Sequence, residues 1–248
     1  MGKLENKVAV ITGGNSGIGL SSAKRFAAEG AHVYITGRRK EVLDKASAEI
    51  GANVTAIQGD VTASEDLDHL FDVVRTQHGR IDILFANAGI GQLEPLGHIT
   101  DAAFDLTFAV NVKGTVFTVQ KALPLLKDGA SIILTGSTTG IKGTPAFSIY
   151  SASKAAIRNL ARSWALDLQG TGIRVNVLSP GATDTPGLQG VAEAAGRTTM
   201  YDALLAQTPA GRIAEPADVA SVALFLASDD SAVMTGSEVF ADGGMAQV

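Results

Sequence analysis

The chain has 248 residues, of which 46% are hydrophobic and 18% charged, and its formal net charge is −5. This composition is typical of one compact α/β domain and excludes a disordered segment. The absence of cysteine excludes disulfides, thiolate metal sites and a cysteine nucleophile. There is no basic cluster beside aromatic residues and no apolar run of bilayer length, so we expect no nucleic-acid or membrane partner and a cytoplasmic location.

A short β-branched run at residues 7–12 predicts a strand, which leads into a glycine-rich loop and a helix that Gly30 ends. Glycines let a backbone approach a pyrophosphate, and the helix N-terminus supplies free N–H groups and a positive dipole end. The spacing is G-x-x-x-G-x-G, and a tight turn is the alternative explanation. Its position between strand and helix favours a phosphate site.

The second predicted strand, residues 31–36, is followed by Gly37, Arg38, Arg39 and Lys40. An acidic residue at the end of this strand would bind the 2′-hydroxyl of NAD, whereas arginine accommodates the 2′-phosphate of NADP. No acid stands at positions 35–37, so the sequence favours NADP (NADPH) over NAD. A solvated basic turn that opens the helix at 41–50 is the alternative.

The remaining pattern alternates strands with helices. Strands are predicted at 53–58, 81–85, 130–135, 173–178 and 236–240, and helices at 64–78 with Ser64 as cap, 101–127, 150–168 and 216–226. This order predicts a single-domain Rossmann-type doubly wound parallel sheet of about seven strands, with helices on both faces, over residues 1–248. Residues 182–210 are polar, glycine-bearing and weakly helical, and we interpret them as a mobile substrate lid.

Tyr150 and Lys154 lie one helical turn apart, so both side chains project from the same helix face. A free phenol titrates near ~10, and a neighbouring cation lowers its pKa towards a usable acid/base. A packed tyrosine beside an exposed lysine is the alternative, and this short motif alone does not decide between them.

Taken together, these pieces resemble the classical short-chain dehydrogenases/reductases along nearly the whole chain. The matching segments, in family order, are Thr12–Gly19, Asp60, Asn87–Gly89, Asn111, Ser137, Tyr150 with Lys154, and Pro180–Gly181. The resemblance implies that Tyr150 is the general acid/base and that Lys154 lowers its pKa and binds the nicotinamide ribose. It also implies that Ser137 donates a hydrogen bond to the substrate oxygen. Asn111 is then expected at a helix kink, where it holds a water of the proton relay.

The resemblance also implies the residues that contact the cofactor. They are Gly13, Asn15, Ser16, Gly17, Ile18, Gly19, Arg38, Arg39, Asp60, Val61, Asn87, Ala88, Gly89, Tyr150, Lys154, Pro180, Gly181, Thr183 and Thr185. The substrate pocket is expected from residues 91–96, 138–147 and 187–205. Gly136 replaces a serine found in many relatives, a departure that we interpret as widening this pocket.

Segments 117–126 and 225–230 are most similar to bacterial NADP-dependent secondary alcohol dehydrogenases. The implied substrate is a small carbonyl or alcohol, the implied assembly a homotetramer, and no metal site is predicted. Two enzyme alternatives remain open, a 3-oxoacyl carrier-protein reductase and a sugar dehydrogenase. The first would need basic residues around the lid, which instead carries Asp184, Glu193 and Asp202. A cofactor-sensing protein without turnover would be expected to lack Ser137, Tyr150 or Lys154, and all three are present.

Overall fold

The computed structural model describes residues 2–248, apart from the side chains of residues 194 and 195. It contains a parallel sheet in the order β3-β2-β1-β4-β5-β6-β7. The strands are β1 (Val8–Thr12), β2 (His32–Gly37), β3 (Val54–Gln58), β4 (Ile81–Ala86), β5 (Leu126–Thr135), β6 (Arg174–Pro180) and β7 (Glu238–Ala241). The predicted doubly wound α/β fold is therefore confirmed.

Helices connect successive strands and cover both faces of the sheet. They are α1 (Gly17–Ala28), α2 (Lys40–Ile50), α3 (Ser64–Gln77), α4 (Asp101–Phe108), α5 (Gly114–Ala122), α6 (Ser148–Asp167), α7 (Pro186–Ala195), α8 (Arg197–Ala206) and α9 (Pro216–Ala227). The chain builds outward from β1 to β3 and then returns to place β4 beside β1. Such a reversal opens a crevice at the carboxyl ends of the strands.

Two apolar cores lie on opposite faces of the sheet, because successive strand residues point to opposite sides. In β1, Val10 belongs to the core under α3, α5 and α6, whereas Ile11 belongs to the core under α1, α2 and α9. Leu84 and Phe85 divide in the same way in β4. Burial on both faces explains why these strands read as continuous apolar runs in the sequence.

The structure corrects three sequence predictions outside the strands. The helix predicted at 101–127 ends at Ala122, and its last residues belong to β5, in which Leu126 pairs with Ile81; the π-helical turn Ala109–Lys113 lies where the kink at Asn111 is expected. Ser64 is the first helical residue and not the cap, which is Ala63 without a side-chain hydrogen bond. The weakly helical segment 182–210 contains two ten-residue helices, α7 and α8.

Helix α7 begins where Thr185 accepts a hydrogen bond from the Leu188 N–H and Pro186 occupies the first helical position. Threonine and then proline at these positions favour helix initiation. Within residues 2–248, no helix combines the length and apolar character that crossing a membrane requires.

Candidate active site

One cavity of ≈ 630 Å³ opens at the carboxyl ends of the strands. It brings together most of the site residues that the sequence predicts. Those on its wall are Gly13, Asn15, Ser16, Gly17, Ile18, Arg38, Arg39, Asp60, Val61, Asn87, Ala88, Gly89, Ser137, Tyr150, Lys154, Pro180, Gly181, Thr183 and Thr185. Gly19 and Asn111 are not on the wall. Both lie directly behind residues that are.

The glycine loop after β1 is packed so closely that side chains would not fit. A Cβ on Gly13, whose φ is +64°, would lie 3.0 Å from the Ala88 Cα, and a Cβ on Gly19 would collide with the Gly13 carbonyl. The following helix α1 has no side-chain cap from Ser16 and no acidic residue in its first turn. Its first N–H groups are consequently free to bind an anion, as a diphosphate requires.

Asn87 ties the ends of three strands together beneath the cavity. Its Nδ2 donates to the carbonyls of Thr12, at 3.1 Å, and Gly13, at 3.3 Å. Its Oδ1 accepts a hydrogen bond from the Thr135 hydroxyl at 3.3 Å, and its backbone N–H donates to the Thr12 hydroxyl. The Asn87 side chain therefore fixes the cavity floor.

The basic residues after β2 stand at one end of the cavity. Arg38 is 61% exposed, and its Nη1 lies 3.9 Å from Asp60 Oδ2. The other Asp60 oxygen accepts hydrogen bonds from the backbone and hydroxyl of Thr62. Gly37 packs against the Asn15 side chain, which lies 2.7 Å from the position of a Cβ. An exposed guanidinium with a distant partner is available to bind a phosphate.

Ser137 follows β5 at the other end of the cavity, where its hydroxyl oxygen already acts as an acceptor. The Ser137 Oγ accepts hydrogen bonds from the Thr139 N–H at 3.2 Å and from the Thr139 hydroxyl at 3.1 Å. A hydroxyl has one donor and two acceptor sites. The Ser137 proton is thus left to donate to a group in the cavity.

Tyr150 lies near the start of α6 and is partly exposed to the cavity. Its ring stacks on Phe147, with the centroids 4.4 Å apart, and a Cβ on Gly91 would lie 2.9 Å from the Phe147 ring. Burial raises the pKa of the Tyr150 phenol above its ordinary value of 10.0, and a hydrogen bond with the Ser137 side chain opposes this rise. The phenol is therefore protonated at neutral pH.

Lys154 is only 3% exposed and has no carboxylate partner among the ion pairs of residues 2–248. Its Nζ donates to the Thr135 carbonyl at 2.8 Å and lies 5.5 Å from the centroid of the Tyr150 ring. Burial lowers the pKa of Lys154 to about 8. The expected lowering of the Tyr150 pKa by Lys154 is not found: burial raises this pKa, and the Ser137 side chain, not Lys154, opposes the rise.

Asn111 lies in the π-helical turn between α4 and α5, so the predicted interruption of this helix is present. Its Oδ1 accepts from the Ile90 N–H at 2.9 Å. Its Nδ2 donates to the Ile90 carbonyl and to the Ser153 hydroxyl. These bonds hold the chain after β4 against α6, close to Lys154. Both amide hydrogens of Asn111 are already used, which leaves only its acceptors for a water.

The structure also corrects the interpretation of Gly136. A Cβ there would collide with Ser179 Oγ on β6, so glycine at this position is dictated by strand packing and does not widen the pocket. The pocket walls come from the expected loop and lid segments, as exemplified by Phe147, Leu188 and Met200. Gln207, which belongs to the predicted lid at 182–210, and Met245 also line the cavity. Both lie outside the three segments from which the substrate pocket is expected, and no sequence pattern singled out Met245.

The fold is a doubly wound sheet in which a glycine loop leads into a helix without a side-chain cap. One cavity also holds a hydroxyl, a phenol and a buried ammonium. These features together define the class of nucleotide-dependent oxidoreductases. Residues 13–246 match the family described as enoyl-(acyl carrier protein) reductase. The chain is 52% identical to an oxidoreductase of Sarocladium schorii over 99% of its own length and 98% of that protein's.

Two further relatives agree with this class. The chain is 36% identical to an NADP-dependent (R)-specific alcohol dehydrogenase of Lentilactobacillus kefiri, over 98% of its length and 97% of that protein's. A crystal structure of a short-chain dehydrogenase/reductase (glucose/ribitol dehydrogenase) from Brucella melitensis has a TM-score of 0.90 at 30% identity, covering 100% of this chain and 99% of that one. The chain belongs to the short-chain dehydrogenase/reductase family and is an oxidoreductase.

Proposed function

We propose that this chain is an NADP(H)-dependent oxidoreductase that interconverts a ketone and a secondary alcohol, with Tyr150 as general acid/base. The observation that carries the proposal is that one cavity joins the anion-ready N-terminus of α1 to the cluster of Ser137, Tyr150 and Lys154. When bound there, reduced nicotinamide supplies the hydride. The protein supplies position, a proton and stabilisation of the developing oxyanion.

The residues of the cluster divide these tasks among themselves. The protonated Tyr150 phenol donates to the carbonyl oxygen, and the Ser137 hydroxyl donates a second hydrogen bond to the same atom. Lys154 has three donors and uses one on the Thr135 carbonyl, so two remain for ribose hydroxyls and the proton path. Asn111 positions α6 through Ser153. A phenol that stays protonated suits the reductive direction at neutral pH.

The preference for NADP rests on Arg38 and Arg39. Both line the end of the cavity next to β2, and Asp60, the acidic residue on the wall there, faces Arg38 at 3.9 Å. A planar guanidinium suits a 2′-phosphate, which a carboxylate in the same place would repel. The Lentilactobacillus kefiri relative, named as NADP-dependent, supports the same preference.

The remaining features of the proposal concern the substrate and the assembly. We propose one catalytic domain over residues 1–248 with a substrate lid at 182–210, acting in the cytoplasm as a homotetramer. The lid lines the cavity with Leu188, Val191, Met200 and Leu204, whose apolar side chains favour a ketone over a polyol. A carrier-protein substrate is disfavoured, because Arg212 is already paired with Asp218 and Arg197 lies against Tyr201.

Replacing Tyr150 with phenylalanine tests the function directly. Removal of the proton donor should lower ketone reduction by about 10²- to 10⁴-fold, since positioned acid/base groups contribute on this scale. The experiment measures NADPH consumption over aliphatic, aryl and β-keto ester carbonyls, together with NADPH binding by fluorescence. NADPH binding should persist, because the phosphate loop is untouched.

Tyr34→Phe is the matched control. It removes a phenol hydroxyl that bonds to Gln77 and His78 and does not line the cavity. This variant should keep most of its turnover even if it loses some stability. Full turnover by Tyr150→Phe would overturn the acid/base role, and the absence of carbonyl reduction by the wild-type protein would overturn the proposed function.

A further inference from the structure

Lys142 is a charged residue of the cavity wall that takes no part in the proposed proton transfer. It lies in the loop that follows Ser137, and its Nζ donates to Gln207 Oε1 and to the Met245 carbonyl, each at 3.2 Å. Both acceptors are uncharged. No acidic side chain pairs with Lys142 in the portion of the chain that the structure describes. Two acceptors leave one N–H of this ammonium for a ligand.

The surroundings of Lys142 make its charge selective. The other charged residues on the cavity wall are Arg38, Arg39 and Asp60 at the far end and the buried Lys154 beside Tyr150. The substrate end is otherwise lined by apolar and neutral side chains. Lys142 is exposed, so water screens part of its charge, but apolar walls on one side leave its attraction for an anion stronger than that of an ammonium fully surrounded by water. No carboxylate on the wall of that end competes for it.

Two hydrogen bonds also position the ammonium of this exposed side chain before a ligand arrives. Gln207 lies at the end of α8, and Met245 lies beyond β7, so Lys142 connects its own loop with the lid and with the C-terminal segment. Its backbone N–H donates to the Thr138 carbonyl at 3.1 Å, which anchors the loop next to Ser137. A side chain held in this way loses less conformational entropy when it binds a ligand.

We propose that Lys142 recognises a carboxylate on the substrate, so that the enzyme prefers oxo acids whose ketone and carboxylate are separated by an apolar body. This inference rests on the proposed function and specifies its substrate class. The carboxylate takes no part in the bond changes. Hydride from reduced nicotinamide goes to the carbonyl carbon, a proton goes to its oxygen, and the Lys142–carboxylate contact only binds and orients.

The test compares a homologous series of aliphatic oxo acids with the primary amides of the same acids. The amides keep the carbon skeleton and lose the charge. The measured quantity is the ratio of kcat/KM for each acid to kcat/KM for its amide, in wild type, Lys142→Gln and Lys142→Arg. We expect the best wild-type ratio to fall by about tenfold in Lys142→Gln, as loss of one charge-assisted hydrogen bond implies, and to be retained in Lys142→Arg.

A binding measurement supplies a readout that does not depend on turnover. Calorimetry on the NADPH-loaded protein compares a hydroxy acid with its amide, because neither can react with reduced cofactor. The acid should bind more tightly in wild type and lose about tenfold in affinity in Lys142→Gln. This inference alone would be overturned if the wild-type protein reduces neutral ketones while the acid-to-amide ratio of kcat/KM is the same in wild type and Lys142→Gln. The absence of any carbonyl reduction by wild type would instead overturn the proposed function.

Discussion

The two ends of the cavity handle charge in opposite ways. At the Arg38 end the guanidinium is 61% exposed and faces Asp60 at 3.9 Å, so water screens both groups. At the Tyr150 end Lys154 is 3% exposed and bonds to a neutral carbonyl, so its charge is neither screened nor balanced. An exposed pair contributes little to the free energy of unfolding. A buried charge costs stability and acts strongly on what lies beside it.

Lys154→Met should have the largest effect, because it removes the buried charge. Reduction should fall by about 10²- to 10⁴-fold, since the phenol and the ribose lose their cation. The fold should gain stability at neutral pH. Burial moves the pKa of Lys154 from 10.5 to about 8, which corresponds to a penalty on the order of 3 kcal/mol while the lysine is protonated. The lost bond to the Thr135 carbonyl offsets part of this gain.

Chemical denaturation measures this change, and its pH dependence gives the sign. The unfolded chain binds the Lys154 proton more readily than the folded one. The stability that the wild-type protein loses by burying this charge is therefore lost in full below pH about 8, and the loss disappears as the pH rises towards 10.5. If Lys154→Met unfolds more easily than wild type at neutral pH, the buried charge of Lys154 does not lower the free energy of unfolding.

Arg38→Asp should have an intermediate effect that is confined to cofactor choice. The ratio of kcat/KM with NADPH to that with NADH should fall by roughly 10- to 100-fold, since a charge-assisted contact is replaced by repulsion. The control is Arg75→Asp, which changes charge equally but lies on α3, where Arg75 pairs with Asp72 outside the cavity. An equal drop in both variants would mean that net charge, and not a local phosphate contact, sets the preference.

A smaller effect is expected from pH alone. Ketone reduction should decline as the pH rises above about 8, because Lys154 loses its proton there, while the pKa of Tyr150 lies above 10.0. Steady-state kcat/KM from neutral to alkaline pH measures this limb. In the oxidative direction the rate should rise with pH, since proton release from the alcohol becomes easier. A reductive profile that is flat through pH 8 would show that the Lys154 charge does not contribute.

Asp60→Asn should have the smallest effect. The substitution removes the charge that faces Arg38 and keeps an oxygen for the two hydrogen bonds from Thr62. The unfolding free energy should change by less than ~1 kcal/mol, as is usual for exposed ion pairs. Denaturant titration of Asp60→Asn and Lys154→Met under the same conditions compares their changes in unfolding free energy. A larger loss here would mean that the pair at this end of the cavity is not screened by solvent.

Much of the fold was predictable from the sequence, because the central strands, such as β1 and β6, are buried runs rich in β-branched residues. The glycine loop and the one-turn spacing of Tyr150 and Lys154 could likewise be read from the letters. The direction of the Tyr150 pKa shift could not, because it depends on how deeply the phenol is buried. The start of β5 was missed because Leu126 is drawn into the sheet by pairing with Ile81, a tertiary contact.

Local signals were misread in two places. Ser64 has the side chain of a cap, yet Asp66 is the residue of this turn that bonds to a preceding N–H, that of Asp60. The helices of the lid were underestimated although Thr185 and Pro186 form a helix start that the sequence does contain. Met245 lies outside every predicted segment of the site and reaches the cavity only through folding, so no spacing rule would have found it.

The hydrogen bonds of Asn87 have an evolutionary consequence. They join the ends of β1, β4 and β5, so the shape of the cavity floor depends on backbone carbonyls and on threonine hydroxyls. Substitutions in the cavity walls leave these bonds in place. The walls come from separate segments, among them Phe147, Leu188 and Met245. Exchanging wall residues can therefore diversify the compounds that the cavity accepts while its floor keeps the same geometry.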